Sequence, residues 1–283
     1  MNATRNTTCL LMALAVAASV AWMAFPASAA TGAAGIPLLG ATAHVGTADF
    51  NERAIAFARM REAGLRCVRF DLGWRLCQPT PDAPLDFSRY DRVFESAEAE
   101  GIEPLPILNW APRWAVPVTE HIEEWRAYVR AAAERYRGRV AAWEVWNEPN
   151  HRAHYPHGDA KAYLEMLRAA REEIKAADPE AIVCCGGLAG ADACVLKFGS
   201  DYRGAVILSG NMAVETGGVS ERQQADYILR ALPVAAKHNV GRFLIYALRN
   251  SEKNPHDRED HFGIVHADFS PKPAFKALKN RNR

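Results

Sequence analysis

The stretch richest in chemistry runs from Trp143 to Asn150 and reads Trp-Glu-Val-Trp-Asn-Glu-Pro-Asn. It sets two carboxylates, Glu144 and Glu148, among two indoles, Trp143 and Trp146. An apolar wall and a nearby carboxylate can raise a carboxyl pKa enough for general-acid work near neutral pH. Glu148 is the candidate, because Pro149 behind it stops an extended run and fixes a turn. Strand alternation would put Trp146 and Glu148 on one side, with Glu144 in the same register. Arg69 invites an ion pair with Asp71 or Glu144. Trp74, Trp110 and Trp114 either offer a flat face to a pyranose ring or pack in a core. Tyr246 poses the same alternative, and His44 reads more readily as structural than as a ligand contact. His151, His154 and His157 follow Glu148 at intervals of three. That spacing permits a metal site, yet a polar rim loop is the preferred reading, and no metal or other cofactor is expected.

These residues need a frame. Short, nearly continuous apolar runs alternate with amphipathic stretches, the mark of parallel strands buried on both faces and joined by helices. Strands are expected at 36–45, 67–71, 104–108, 140–146 and 181–185. Helices are expected at 52–63, 90–100, 120–136 and 160–176. Gly64, Gly101 and Gly138 fall just past three of those helices, where a left-handed cap suits glycine. The unusual polar and aromatic residues gather at strand C-termini: Asp71 and Trp74, Asn109 and Trp110, Asn147 and Glu148. In a (β/α)₈ barrel such loops share one face, where active sites lie. No glycine-rich phosphate loop follows the first strand, which disfavours a dinucleotide-binding sheet.

The second half is less regular, with strands expected at 205–208 and 243–246 and helices at 221–237 and 272–279. Only Gly186 to Gly204 lie between the fifth strand and the next clear one, too little for two helices and a strand. The expectation is therefore an incomplete (β/α)₈ barrel, short of about one βα unit between strands five and seven. No linker or repeat suggests a second domain.

The N-terminus carries Arg5, an apolar run from Cys9 to Phe25, and Ala27-Ser28-Ala29. This is the pattern of a secretory signal over residues 1–29, leaving about 254 residues as one barrel domain, 30–283. A secreted or periplasmic protein follows, with no membrane contact after cleavage. Apolar residues make up 49% of the chain, enough for a large core, and the net charge of +1 gives no reason to expect a nucleic-acid partner. Cys67 and Cys184 sit within apolar runs and read as small buried side chains.

The Asn147-Glu148-Pro149 tripeptide at the end of a fourth strand resembles the acid/base signature of clan A glycoside hydrolases, which are (β/α)₈ barrels. The likeness continues in Arg69-Phe70-Asp71 with Trp74, in the run from Asp86 to Asp91, and in the stretch from Asn109 to Ala115. It also takes in Gly217 to Ala225, Phe262 to Val265 and Pro271 to Phe275. Together these are similar to family 39 enzymes and related exopolysaccharide hydrolases. The resemblance implies a carbohydrate substrate, with Glu148 protonating the leaving glycosidic oxygen and later activating water. It implies that Asn147 binds the sugar 2-hydroxyl, that Arg69 orients the nucleophile, and that Tyr246 is an active-site aromatic; Trp74 and Trp110 join them as candidate substrate contacts.

The pattern fails where the clan carries its nucleophile, at the end of strand seven. Ser209 and Gly210 occupy the Thr-Glu position, and the nearest carboxylate, Glu215, comes five residues later. Two expectations follow: a retaining glycosidase that uses Glu148 with Glu215 or another carboxylate, or an inactive carbohydrate-binding descendant.

Overall fold

The computed structural model describes residues 37–140, 142–155, 159–187, 194–195, 205–209, 219–237, 240–254 and 257–281. The signal sequence, Gly210, Glu215 and His157 lie outside the described residues.

The first half alternates strand and helix in chain order. It comprises β1 (Leu38–Thr42), α1 (Phe50–Glu62), β2 (Cys67–Gly73), the single turn α2 (Trp74–Cys77), and α3 (Ser88–Ala99). It continues through β3 (Glu103–Asn109), α4 (Ile122–Arg135), β4 (Ala142–Val145), α5 (Ala160–Ala177) and β5 (Ile182–Cys185). After these come β6 (Cys194–Val195), β7 (Ala205–Ser209), α6 (Glu221–Lys237), β8 (Arg242–Tyr246) and α7 (Pro273–Arg281). Local signals set several ends. Asp49 and Asp159 accept hydrogen bonds from Glu52 N and Ala162 N, capping the first turns of α1 and α5. Gly64, Gly101 and Gly138 take positive φ just beyond α1, α3 and α4, as their positions in the sequence suggested.

One sheet runs in the order β5-β4-β3-β2-β1-β8-β7-β6. Every pairing is parallel except β6 with β7, which is antiparallel. Among the described residues nothing pairs β5 with β6. This is the incomplete (β/α)₈ barrel expected from sequence. A two-residue antiparallel strand lies where a sixth parallel strand and its helix would complete the ring.

Alternation along the strands divides the core in two. One set of strand side chains, Val68 and Phe70 among them, shares a cluster with Phe57, Phe94, Val129 and Ile174 of the helices. The other set fills the inside of the curl with Cys67, Leu105, Ala142, Cys184 and Leu244. Both cysteines read as buried small side chains are found there, and burial pushes the Cys67 thiol pKa well up. Below this layer Arg242 of β8 donates from Nε to Glu103 Oε1 of β3 at 2.9 Å, a buried pair that ties the last strand to the third. No described helix is long and apolar enough to cross a membrane.

Candidate active site at the ends of β2, β3 and β4

The site begins where β4 stops being a strand. Trp146 has φ 68° and Glu148 φ 47°, and beside them, past the end of β3, Trp110 has φ 52°. Left-handed backbone costs a residue with a Cβ about 1–3 kcal/mol. Three such residues at two neighbouring strand ends are kept only because their surroundings fix them. Trp146 N donates to Leu108 O at 2.9 Å, and Glu148 N donates to Gly187 O at 2.8 Å. Trp146 Nε1 donates to His154 O at 3.1 Å. The Tyr163 hydroxyl of α5 donates to Val145 O at 3.0 Å and accepts from Gly186 N at 2.7 Å. A Cβ on Gly186 would stand 2.5 Å from Trp146 O, so glycine is what lets β5 come this close.

This backbone corrects the expected alternation. Period-two geometry ends with Val145, so Trp146 and Glu148 do not continue the register of Glu144. Trp146 packs against Trp125 and Tyr155 on the helix side, with ring centroids 6.2 and 5.4 Å away. Glu148, half-buried, is turned to the rim.

Glu144 points into the curl and meets Arg69. Arg69 Nε and Nη2 donate to its two carboxylate oxygens at 2.7 and 2.8 Å, a bidentate pair with both side chains buried. Of the two partners left open by sequence, Glu144 is the one engaged. Burial opposes the Arg69 cation, but the charge and hydrogen bonds of Glu144 outweigh it and raise the guanidinium pKa. Arg69 Nη2 also donates to Asn147 Oδ1 at 2.8 Å, which aims the amide that precedes Glu148. Glu144 Oε1 accepts from Gly187 N at 3.0 Å, joining the end of β5 to the same network. One strand over, Asn109 Nδ2 donates to Asp71 Oδ1 at 2.6 Å. Asn109 Oδ1 is buried and has no hydrogen-bond partner among the described residues.

Asn109, Trp110, Trp146, Asn147 and His154 line a small cleft. Trp110 is half-buried, with the Arg75 guanidinium 4.8 Å from its ring centre and His154 edge-on at 5.8 Å. Glu148 Oε2 lies 2.6 Å from His154 Nδ1. The cleft thus offers two indoles, two amides, an imidazole and a carboxyl group at its lip, a donor and acceptor set suited to hydroxyl-rich ligands.

Trp74 requires a correction. It is fully buried, stacks on Tyr128 at 5.6 Å, and donates Nε1 to Gln78 Oε1 at 3.0 Å. A side chain without exposed surface offers no face to a sugar, so Trp74 belongs to the core. Trp114, half-buried, packs edge-on against it at 5.3 Å. Tyr246 ends β8, half-buried, with its ring 5.6 Å from Phe262 and close enough to Arg69 to act on its charge. His44 is exposed past the end of β1. Sequence reading missed Tyr163, Gly186 and Gly187. A Gly-Gly pair directly after a strand was the available sign of a close backbone approach.

Solved structures share this arrangement of strands and helices. A family 39 glycoside hydrolase from Bacteroides cellulosilyticus WH2 superposes with a TM-score of 0.71 at 20% identity, covering 88% of this chain and 64% of that one. The fold is that of the clan A glycoside hydrolases. A monomeric beta-xylosidase from Caulobacter crescentus CB15 matches at a TM-score of 0.66 and 17% identity, over 87% of this chain and 68% of its own. Among curated sequences, a 6-phospho-beta-glucosidase from Clostridium longisporum is 25% identical over 131 residues, 40% of this chain. That match spans only 26% of the relative's length. No protein-family model matches the chain.

Proposed function

We propose that the protein is a glycoside hydrolase of retaining ancestry that acts on an exported or extracellular oligo- or polysaccharide, with Glu148 as its acid/base. The observation that carries this reading is the Glu144–Arg69–Asn147 chain, which presents an oriented amide beside Glu148 at the lip of a cleft. In this role the Glu148 carboxyl gives its proton to the glycosidic oxygen as the C–O bond breaks, then takes a proton from the water that attacks the anomeric carbon. Asn147 binds the 2-hydroxyl of the sugar, Trp110 and Tyr246 flank it, and Asn109 Oδ1 is ready to accept from a further hydroxyl. Glu215 is the proposed nucleophile.

The test is hydrolysis of aryl glycosides and microbial exopolysaccharides by the wild type and by Glu148→Gln. A positioned general acid contributes about 10²–10⁴-fold, and the variant is expected to lose that much. Equal rates would remove Glu148 from the chemistry. A second reading has its own support in the sequence that follows β7, where Ser209-Gly210 stands at the position of the clan's nucleophile. In that reading the chain binds saccharides without cleaving them, and turnover by pure protein excludes it.

A further inference from the structure

We propose that Glu148, His151 and His154 form a binding site for a zinc-type divalent transition-metal ion. The three residues are stacked by backbone geometry. His151 N donates to Glu148 O at 2.9 Å and His154 N donates to His151 O at 2.9 Å. Successive i→i+3 bonds bring side chains three apart onto one face. The potential ligand atoms of the three all lie within 4.8 Å of one another. The imidazole rings of His151 and His154 are 5.4 Å apart, centre to centre.

The donor set selects the ion. Two imidazoles and one carboxylate suit zinc and its neighbours, whereas calcium and magnesium prefer an all-oxygen shell. Ligand bonds of about 2.0–2.2 Å in a tetrahedral site keep ligand atoms roughly 3.3 Å apart. That spacing falls between the 2.6 Å now separating His154 Nδ1 from Glu148 Oε2 and the 4.8 Å span of the cluster.

A second observation points the same way. His154 Nδ1 is shut off from solvent and makes no hydrogen bond among the described residues. Its polar neighbour is the Glu148 carboxylate 2.6 Å away, the other ligand of the proposed site. A rim loop of solvated histidines does not bury a ring nitrogen in this way.

Three protein ligands leave a fourth position facing the cleft, free for water or a ligand hydroxyl. A carboxylate oxygen engaged by the ion cannot also deliver a proton, so metal loading and the acid role of Glu148 exclude one another. The binding itself does not depend on turnover of any sugar.

The experiment uses untagged full-length mature protein, stripped with chelator and titrated with Zn²⁺ by calorimetry. One equivalent is expected to bind. Loss of an outer-shell partner already weakens metal sites about 10–100-fold, so His151→Ala and His154→Ala should each cost at least tenfold. The double variant should abolish binding, while His121→Ala, outside the cluster, should leave it unchanged. Co²⁺ should give the strong visible bands of a four-coordinate site, absent in the double variant. Circular dichroism checks that each variant is folded, and His151, being exposed, tolerates alanine in any case. Absence of stoichiometric binding, or binding that neither histidine substitution weakens, overturns the proposal.

Discussion

From Leu38 to Cys185, helices reach over and hold the strand ends that carry the site. Tyr90 of α3 accepts from Gly73 N at 2.8 Å, Tyr128 of α4 donates to Leu72 O, and Tyr163 of α5 bridges Val145 O and Gly186 N. All three phenols are buried, and burial raises the pKa of each. After Gly186 the pattern changes. The helix tyrosine of that half, Tyr227 on α6, is exposed. The end of β8 is held by backbone pairing, Ala247 N to Phe262 O and Leu248 N to Thr42 O, and Gln224 of α6 donates to Phe262 O and Gly263 O at 3.2 Å behind it. The half bearing Glu148 is therefore braced directly at its strand ends by helix phenols, whereas the later half is held through a segment that Gln224 of α6 anchors. A barrel braced in this way can lack a βα unit after β5 and keep the strand that carries Glu148 in order.

The largest test of that contrast sets two ion pairs against each other. Glu144→Ala strands the Arg69 cation in the interior and should destabilise the protein by about 3–5 kcal/mol. Glu52→Ala breaks the half-exposed Arg249–Glu52 pair, which links α1 to the segment after β8, and should cost about 0–1 kcal/mol. Urea unfolding at pH 7 measures both. Similar costs would mean that the buried network is no stronger a brace than the surface contact. Next in size is Tyr163→Phe, which leaves Val145 O and Gly186 N without their hydroxyl partner. Each buried group left unmade is worth about 1–3 kcal/mol. Because the lost contacts sit directly before Trp146, the saccharide affinity that the proposed function requires should fall with stability. An unchanged affinity would separate the pin from the site.

The sequence showed most of the frame and only part of the wiring. Parallel strands buried on both faces, helix-ending glycines and the shortfall after β5 all leave marks in apolar runs and chain length, because each is decided locally. Lys237 ends α6 where the periodicity said it would. What failed was decided by tertiary contacts. Trp74 follows a strand like a site residue, but Trp125 and Tyr128 of α4 close over it, and no spacing in the sequence reveals that. Trp146 left the strand register because its backbone turns to φ 68°, which lets its indole N–H reach His154 O. Arg69 had two carboxylates to choose from in sequence, and only the curl of the sheet brings Glu144 to it. The histidines after Glu148 were legible as a spacing, yet their convergence depends on a turn that the spacing alone did not settle.

The smallest expected effect is one of pH, and it too belongs to the braced half. Asp91 of α3 accepts from Arg135 of α4 at 2.6 and 2.7 Å, and Glu173 of α5 accepts from Arg126 and Arg130 of α4. Hydrogen bonds from Arg135 hold the Asp91 pKa below its usual range, and those from Arg130 and then Arg126 do the same for Glu173. A carboxylate with a depressed folded pKa adds stability that is fully present above its unfolded pKa, about 3.9 for Asp and 4.3 for Glu. That stability is lost as pH falls through the lower folded value. These pairs are partly exposed and screened, so each contributes less than about 1 kcal/mol. Arg135→Gln should therefore be slightly less stable than wild type at pH 7, and the gap should close as the pH drops below the unfolded value. Urea midpoints at pH 7, 5 and 3 read the gap directly. A gap that stays constant with pH would show that Arg135 acts by packing along α4 rather than through its charge, and the bracing of α3 by α4 would then rest on apolar contact alone.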